Sequence, residues 1–395
     1  MNRSAPVDAQ DARAAIEPAT DRAQQPAGAM PKAASIAAAV VALALLCYAG
    51  LWALTALQLR AGVLDWIAAR QAEGYRVAYS RFGLGGFPTV ARVTVKAPAV
   101  AAPDGRALSW SWVGSKAVLE VNPLRRDGLT VRLGGEEIVS INVDGKLRTY
   151  RGGADELAFS AREAPGSGAR RLVIRNLAMT SEEPGDLVEI EQLSASAEAA
   201  GEHAPTRAAV PAYAVVVEGA GIRLPRQLDL PLGELFSHVS ARALVKGTVV
   251  PAGGDLPAVL SRWRASGGTA EVSHLGLHYG PLVLEGSGTA SLDAGMQPVG
   301  TFMARIQGFQ QTLSALAGRG MIDEQAAANV TIALSILSRP GADGGQPSVS
   351  LPLTLRNRRL LAGPLPLMVV PLIEWPRGPS PRTGGPPLPL QPAAG

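Results

Sequence analysis

The longest break in the alternation of apolar and polar residues lies near the start of the chain. Between Lys32 and Arg60 there are 27 residues without a charge, Ala33 to Leu59. As a helix this run is roughly 40 Å long, enough to cross a hydrocarbon core of about 30 Å. Tyr48 and Trp52 suit one interface of such a span. A cleaved signal peptide is the rival reading, but its basic segment is short, whereas a polar stretch of about thirty residues precedes this run. Attachment of lipid to Cys47 fits poorly, because Leu46 stands where a small residue is expected. A buried helix of a soluble domain is the plain alternative. Ala61–Glu73 then reads as a separate short amphipathic helix with Leu64, Ile67 and Ala68 on one face and Gly74 as its stop.

Beyond Gly74 the period changes from helical to two. Ala91, Val93, Val95 and Ala97 alternate with Arg92, Thr94 and Lys96. Leu129, Val131 and Leu133 alternate with Thr130 and Arg132, and Val239 to Val245 repeats the pattern less cleanly. Further strands are expected at 172–177, 187–193, 213–218, 282–292, 300–306 and 349–356. Asp104-Gly105, Asp127-Gly128 and Asp144-Gly145 read as hairpin turns between such runs. One helical interruption is expected, at about 309–338, broken in two by Gly320. Glu218-Gly219-Ala220-Gly221 and Glu285-Gly286-Ser287-Gly288 echo one another, either as a trace of two related halves or by chance in a Gly-rich chain.

These elements predict a mainly β fold with a few helices: an N-terminal transmembrane helix, then a large curved antiparallel sheet. The expected organisation is a disordered cytoplasmic segment 1–32, a transmembrane helix 33–59, a periplasmic β-rich domain 60–375 and a disordered Pro-rich tail 376–395. Orientation rests on the short polar character of the N-terminal segment. The basic residues do not decide it, since Arg3, Arg13, Arg22 and Lys32 are matched by Arg60, Arg70 and Arg76.

Composition narrows the function. The chain has 395 residues, 47% apolar and 18% charged, with 44 Gly and 31 Pro. The net charge of +4 is scattered, in short groups such as Arg170-Arg171 and Arg358-Arg359. No basic stripe is interleaved with aromatics, which argues against a nucleic-acid partner. The single cysteine excludes an intramolecular disulfide.

No residue recommends itself as catalytic, so no enzyme is expected. There is no Cys-x-x-Cys, no phosphate loop and no Gly-x-Ser-x-Gly elbow. Of the four histidines, His203, His238, His274 and His278, the last two have the spacing of a helical zinc site. The residues around them are strand-like, and four residues of strand span roughly 13 Å, too far for one ion. No metal and no cofactor are therefore expected. Glu136-Glu137 and Glu182-Glu183 read as solvated turn residues. The best local motif is Gly85-Gly86-Phe87-Pro88, following Trp66 and Tyr75–Tyr79. Its expected role is structural, with Phe87 plugging the junction of helix and sheet.

The helix ending at Gly74-Tyr75, the Gly86-Phe87-Pro88 motif and the strand from Val90 to Val95 resemble the start of a bacterial family known as domain of unknown function 2125. Tyr279-Gly280-Pro281-Leu282, Gly286-Ser287-Gly288, the helical pair, Leu351–Leu355 and Gly363–Leu367 continue the resemblance over roughly 62–375. Where the family's last strand turns through a Gly, this chain has Arg358-Arg359. The resemblance implies an envelope setting and brings no activity. In layout the chain is also similar to AsmA-like envelope proteins, which are associated with lipid transport. That layout is an analogy of fold.

The expected function is a membrane-anchored periplasmic envelope protein that binds or conducts lipid acyl chains along an apolar sheet face. Its candidate residues are Val93, Val95, Leu129, Val131, Leu133, Val215, Val217, Leu282 and Leu284. Aromatics are only 5% of the chain, which leaves thin aliphatic faces. The alternative is a structural or scaffolding envelope protein with a closed core and no ligand. Membrane lipid is the expected partner, with other envelope proteins as further candidates.

Overall fold

The structure, a computed structural model, describes residues 32–103, 109–143, 145–164, 167–183, 186–199, 212–247, 256–340, 346–363, 365–370, 372–373 and 375. The chain divides into two compact units, Met1–Gly50 and Leu51–Gly395. In the first, the described residues belong to helix α1, which runs without a break from Lys32 to Ala72. The span and the short helix expected after it are therefore one helix. Within α1, Val40–Ala72 is long and apolar enough to cross a membrane. In the first unit its large side chains lie bare, Val40 at 61% and Leu46 at 70% exposed.

Among the described residues, the second unit holds the rest of α1 and one sheet of eighteen strands. The strands are β1 (Arg76–Ala78), β2 (Arg81–Gly85), β3 (Ala91–Lys96), β4 (Ala99–Ala101), β5 (Ser109–Asn122), β6 (Arg125–Val143), β7 (Lys146–Gly153), β8 (Glu156–Ala164), β9 (Ser167–Ser181), β10 (Leu187–Ala199), β11 (Ala212–Arg223) and β12 (Leu235–Lys246). After helix α2 (Leu256–Ala265) come β13 (Thr269–Tyr279), β14 (Leu282–Leu292) and β15 (Pro298–Gln307). Helices α3 (Phe309–Gly318) and α4 (Glu324–Leu337) precede β16 (Ser348–Arg356), β17 (Arg359–Ala362) and β18 (Leu365–Val369).

Every described pairing is antiparallel, and from β8 onward each strand pairs with the next. That is the topology short turns impose. The early strands are doubled. β5 pairs on one side with β3 and β4, and β6 pairs with β7 along one half and β8 along the other.

Each strand expected from the alternation falls inside an observed one except that the first stops at Lys96, where Ala97 turns the chain with φ 46, and the late helical segment is two helices. Gly320 has φ 68, and Asp323 starts α4 by accepting a hydrogen bond from the Ala326 amide. Four expectations are corrected. Asp127-Gly128 is no hairpin turn: it lies inside β6, and the chain turns at Pro123-Leu124 instead. Glu136-Glu137 is also in β6, and Glu137 is buried. Helix α2 was not expected. Its buried Trp263 donates from Nε1 to the Lys246 carbonyl at 2.7 Å and packs over Gly268, where a Cβ would lie 2.4 Å from the indole. Finally, the turn between β16 and β17 is centred on Asn357-Arg358, not Arg358-Arg359. Both residues have positive φ, 51 and 60, as a tight hairpin requires. Asp104-Gly105, Asp144, His203 and the segments 1–31 and 376–395 lie outside the described residues.

The junction motif is corrected as well. Phe87 is 56% exposed, so it is not a plug. Trp52 of α1 takes that place: its Nε1 donates to the Val90 carbonyl at 2.7 Å, and its ring meets Phe87 edge-on at 5.5 Å. Gly86 is required there. It has φ 90, and a Cβ would stand 2.5 Å from the Val90 oxygen.

Among the described residues, two buried clusters lie at different places on the sheet. In the first, Leu59 and Val63 of α1 cover Val93, Val95 and Ala117, with Phe82, Leu119 and Leu133 around them. In the second, Phe309 and Leu313 of α3 and Val330 and Leu334 of α4 cover Ala304, Val349, Leu351 and Leu353.

Candidate functional site

Partners in an antiparallel register project from the same face of a sheet. Following the register across strands therefore shows what each face carries. One row runs Phe82, Val95, Ala117, Leu133, Leu157, Ile174, Leu193, Gly219, Val239, Leu277, Leu284, Ile306 and Val349. The row beside it runs Leu84, Val93, Leu119, Val131, Phe159, Leu172, Ala195, Val217, Ala241, Leu275, Gly286, Ala304 and Leu351. Both rows cross the same strands from β2 to β16, and neither contains a polar side chain. With strands about 4.8 Å apart, each is roughly 58 Å long.

The nine residues singled out from the sequence all lie on this face. Val95, Leu133 and Leu284 are in the first row, and Val93, Val131 and Val217 in the second. Leu129 and Val215 belong to a third row beyond it, and Leu282 pairs with Tyr279 one step outside the first. The sequence reading missed the positions that join them, including Leu157, Phe159, Leu193, Ala241 and Leu275. Leu157 and Phe159 do alternate with Ala158 and Ser160, a signal too short to read alone. Ala195, Gly219 and Gly286 are small, and only the register shows that they continue a face. Gly288, part of the Gly-rich echo, has a local reason: a Cβ there would lie 2.1 Å from the Thr301 oxygen and 2.7 Å from the Phe302 Cα.

The opposite face is mixed, with charged and hydroxyl residues among smaller apolar ones. The register between the two apolar rows carries Thr94, Val118, Arg132, Ala158, Val173, Ser194, Glu218 and Ser240. Glu120 accepts from Arg92 Nε at 2.7 Å and pairs with Arg132, and Arg242 donates to Glu218 at 3.1 Å. Burial opposes ionisation of Glu120, but the hydrogen bonds and charges of Arg92 and Arg132 outweigh it and hold the carboxyl below its ordinary range. A recess of about 440 Å³ lies on this charged side, lined by Arg92, Lys116, Glu120 and Arg132 among others.

Exposure divides the apolar face into three parts. The β16 ends of both rows and the β2 end of the first fall within the helix-covered clusters, while Leu84, at the β2 end of the second, is 46% exposed. From β8 to β14 the large side chains of the two rows are half-buried, with Phe159 at 38% exposed. Helical cover is thus confined to the ends among the described residues.

No group of three or more His, Cys, Asp or Glu side chains that could hold a metal ion occurs among the described residues. His274 and His278 lie on β13, where His274 Nε2 is 3.0 Å from Ser240 Oγ and the His278 ring meets His238 at 5.4 Å. Asp186 is 1% exposed and accepts from the Tyr150 hydroxyl and from Arg148 Nη1, the latter at 3.3 Å. Glu137 is 4% exposed. Burial pushes its carboxyl up to about 7, against the hydrogen bond it accepts from Trp112 Nε1 at 2.8 Å. Its Oε1 has no hydrogen-bond partner among the described residues.

A long apolar helix leading into one antiparallel sheet, apolar on one face and charged on the other, defines the class of protein. The chain belongs to the family described as "Uncharacterized protein conserved in bacteria (DUF2125)", whose model matches residues 52–371. No curated protein and no solved structure matches it.

Proposed function

We propose that this is a non-enzymatic, membrane-anchored envelope protein that binds or conducts lipid acyl chains along the apolar face of its sheet. Its helix spans the inner membrane, with a cytoplasmic N-terminus and the sheet in the periplasm. The observation that carries the reading is the pair of apolar rows crossing from β2 to β16 with no polar side chain. Transfer of an acyl chain from water to such a surface is favourable by about 0.8 kcal/mol per buried CH₂. The ladder is not interrupted by a charge that a sliding chain would have to desolvate. The second reading, a scaffold with a closed core, is favoured by the two buried clusters, where the same rows are packed against helices.

Photo-crosslinking in cells separates the two. With a photoreactive residue at Val131, Val217 or Leu284, irradiation is expected to yield adducts with phospholipid or another acyl-chain molecule. Crosslinks confined to the protein at all three positions would sink the lipid reading and leave the scaffold.

A further inference from the structure

The third row of the apolar face contains one charged residue. It runs from Ala91 through Val121, Leu129 and Ala161 to Arg170 of β9, and resumes on β10 at Ala197. From there Val215, Ala243 and Val272 continue it to Phe302 and Leu353 without another charge. Arg170 thus stands between two alanines, beside the second row at Leu172. Its polar partner among the described residues is Glu163, at 3.7 Å, with the two side chains 46% and 83% exposed. An exposed pair at that distance contributes little, so the guanidinium keeps its donors for another acceptor. The small neighbours leave room around it, and its methylene stem suits an apolar surface while the head reaches past it.

We propose that Arg170 recognises the phosphate of a phospholipid whose acyl chains lie on the two apolar rows. This rests on the lipid reading above. A guanidinium presents a planar fork that binds phosphate oxygens in pairs, and the negative charge of the phosphate matches the single positive charge of the three rows. Ala161 and Ala197 flank the fork without competing acceptors. A neutral amphiphile such as diacylglycerol has the chains and lacks the phosphate, so it meets the rows and gains nothing from Arg170.

The test uses the full-length protein in mixed micelles of phosphatidylglycerol and diacylglycerol in equal amounts. A photoreactive residue at Ala195, in the second row beside Leu172, reports the bound lipid by mass spectrometry. The expected result is an excess of phospholipid over diacylglycerol adducts of about tenfold, the ratio one charge-assisted contact of about 1.4 kcal/mol produces. Arg170→Gln should bring the ratio to that of the micelle with total adduct unchanged, and Arg170→Lys should restore part of it. Adducts in the micelle ratio in the wild type, or an excess that survives Arg170→Gln, overturn the role of Arg170 and leave the lipid reading standing. Absence of lipid adducts here and at Val131, Val217 and Leu284 overturns both.

Discussion

Leu275 and Leu351 occupy the same row of the sheet, on β13 and β16. Leu351 is 7% exposed inside the cluster formed with Phe309, Leu334 and Val349. Leu275 is half-buried on the stretch without helical cover. The same truncation at the two positions therefore measures whether the middle of the face is packed. Leu351→Ala removes three carbons from a closed site, a transfer loss of about 2.4 kcal/mol at roughly 0.8 kcal/mol per CH₂. The cavity left behind raises this to about 3–4 kcal/mol. Leu275→Ala forfeits only part of the transfer term and seals no cavity, which gives about 1–1.5 kcal/mol. Thermal unfolding of the full-length protein in mild detergent, followed by circular dichroism, reads the difference. At about 2–4 °C per kcal/mol for a large domain, the Leu351 variant should melt roughly 5 °C below the Leu275 variant. Equal losses at the two sites would show that the middle strands are packed like the ends, and the argument for an accessible face would fail.

Two further perturbations test local readings. Glu137 has a folded pKa raised from an ordinary value of 4.5 to about 7. The folded state therefore holds its proton through a window in which the unfolded state has lost it. Stability should fall as pH rises from about 4.5 to 7, by at most about 3–4 kcal/mol, and Glu137→Gln should flatten that part of the profile while keeping an acceptor for Trp112; a Gln variant with the slope intact refutes the assignment. At the junction, Trp52→Phe leaves the Val90 carbonyl without its donor and should cost about 1–2 kcal/mol in chemical denaturation, whereas Phe87→Ala should cost about 1 kcal/mol, the scale of an aromatic contact on an exposed ring. A loss above about 3 kcal/mol at Phe87 would restore it as a buried plug.

The strands were legible in the sequence because a half-buried strand writes its two faces as alternation, as in Ala91–Lys96. The apolar span was legible because charge is absent from it. The register was not. Nothing in Leu193 or Ala241 says which residue lies across from it, and pairing is settled by strand length and turn geometry together. β6 illustrates this: Asp127-Gly128 has turn chemistry, yet Asn122 accepts from the Leu124 amide at 2.9 Å, and the chain reverses there instead. Helix α2 escaped notice because it is only ten residues long and carries Pro257 in its first turn, which reads as a loop in the sequence. Glu137 was misread for a related reason. Its burial comes from Trp112 and Gly114 on the neighbouring strand, where a Cβ on Gly114 would lie 2.5 Å from the carboxylate.

The sheet supplies its own control for what a water-facing surface of this protein looks like. On the side carrying Thr94, Arg132 and Ser194, strands use hydroxyl residues and cross-strand ion pairs such as Glu218 with Arg242. Threonine is as good a strand former as valine when packing does not decide the choice. The opposite face could therefore have been polar from β8 to β14 without cost to the ladder. It carries Leu157, Phe159, Leu172, Ile174, Leu193, Val217, Leu275, Leu277 and Leu284 instead. In those strands the aliphatic side chains are half-buried and return only part of the stabilisation they would give in a sealed core. Folding alone accounts for the two ends, where helices complete the packing. Between them large apolar side chains recur from strand to strand on this side, whereas the other side mixes Val173 and Val216 with charged and hydroxyl residues, and the proposed acyl-chain occupant would account for that difference.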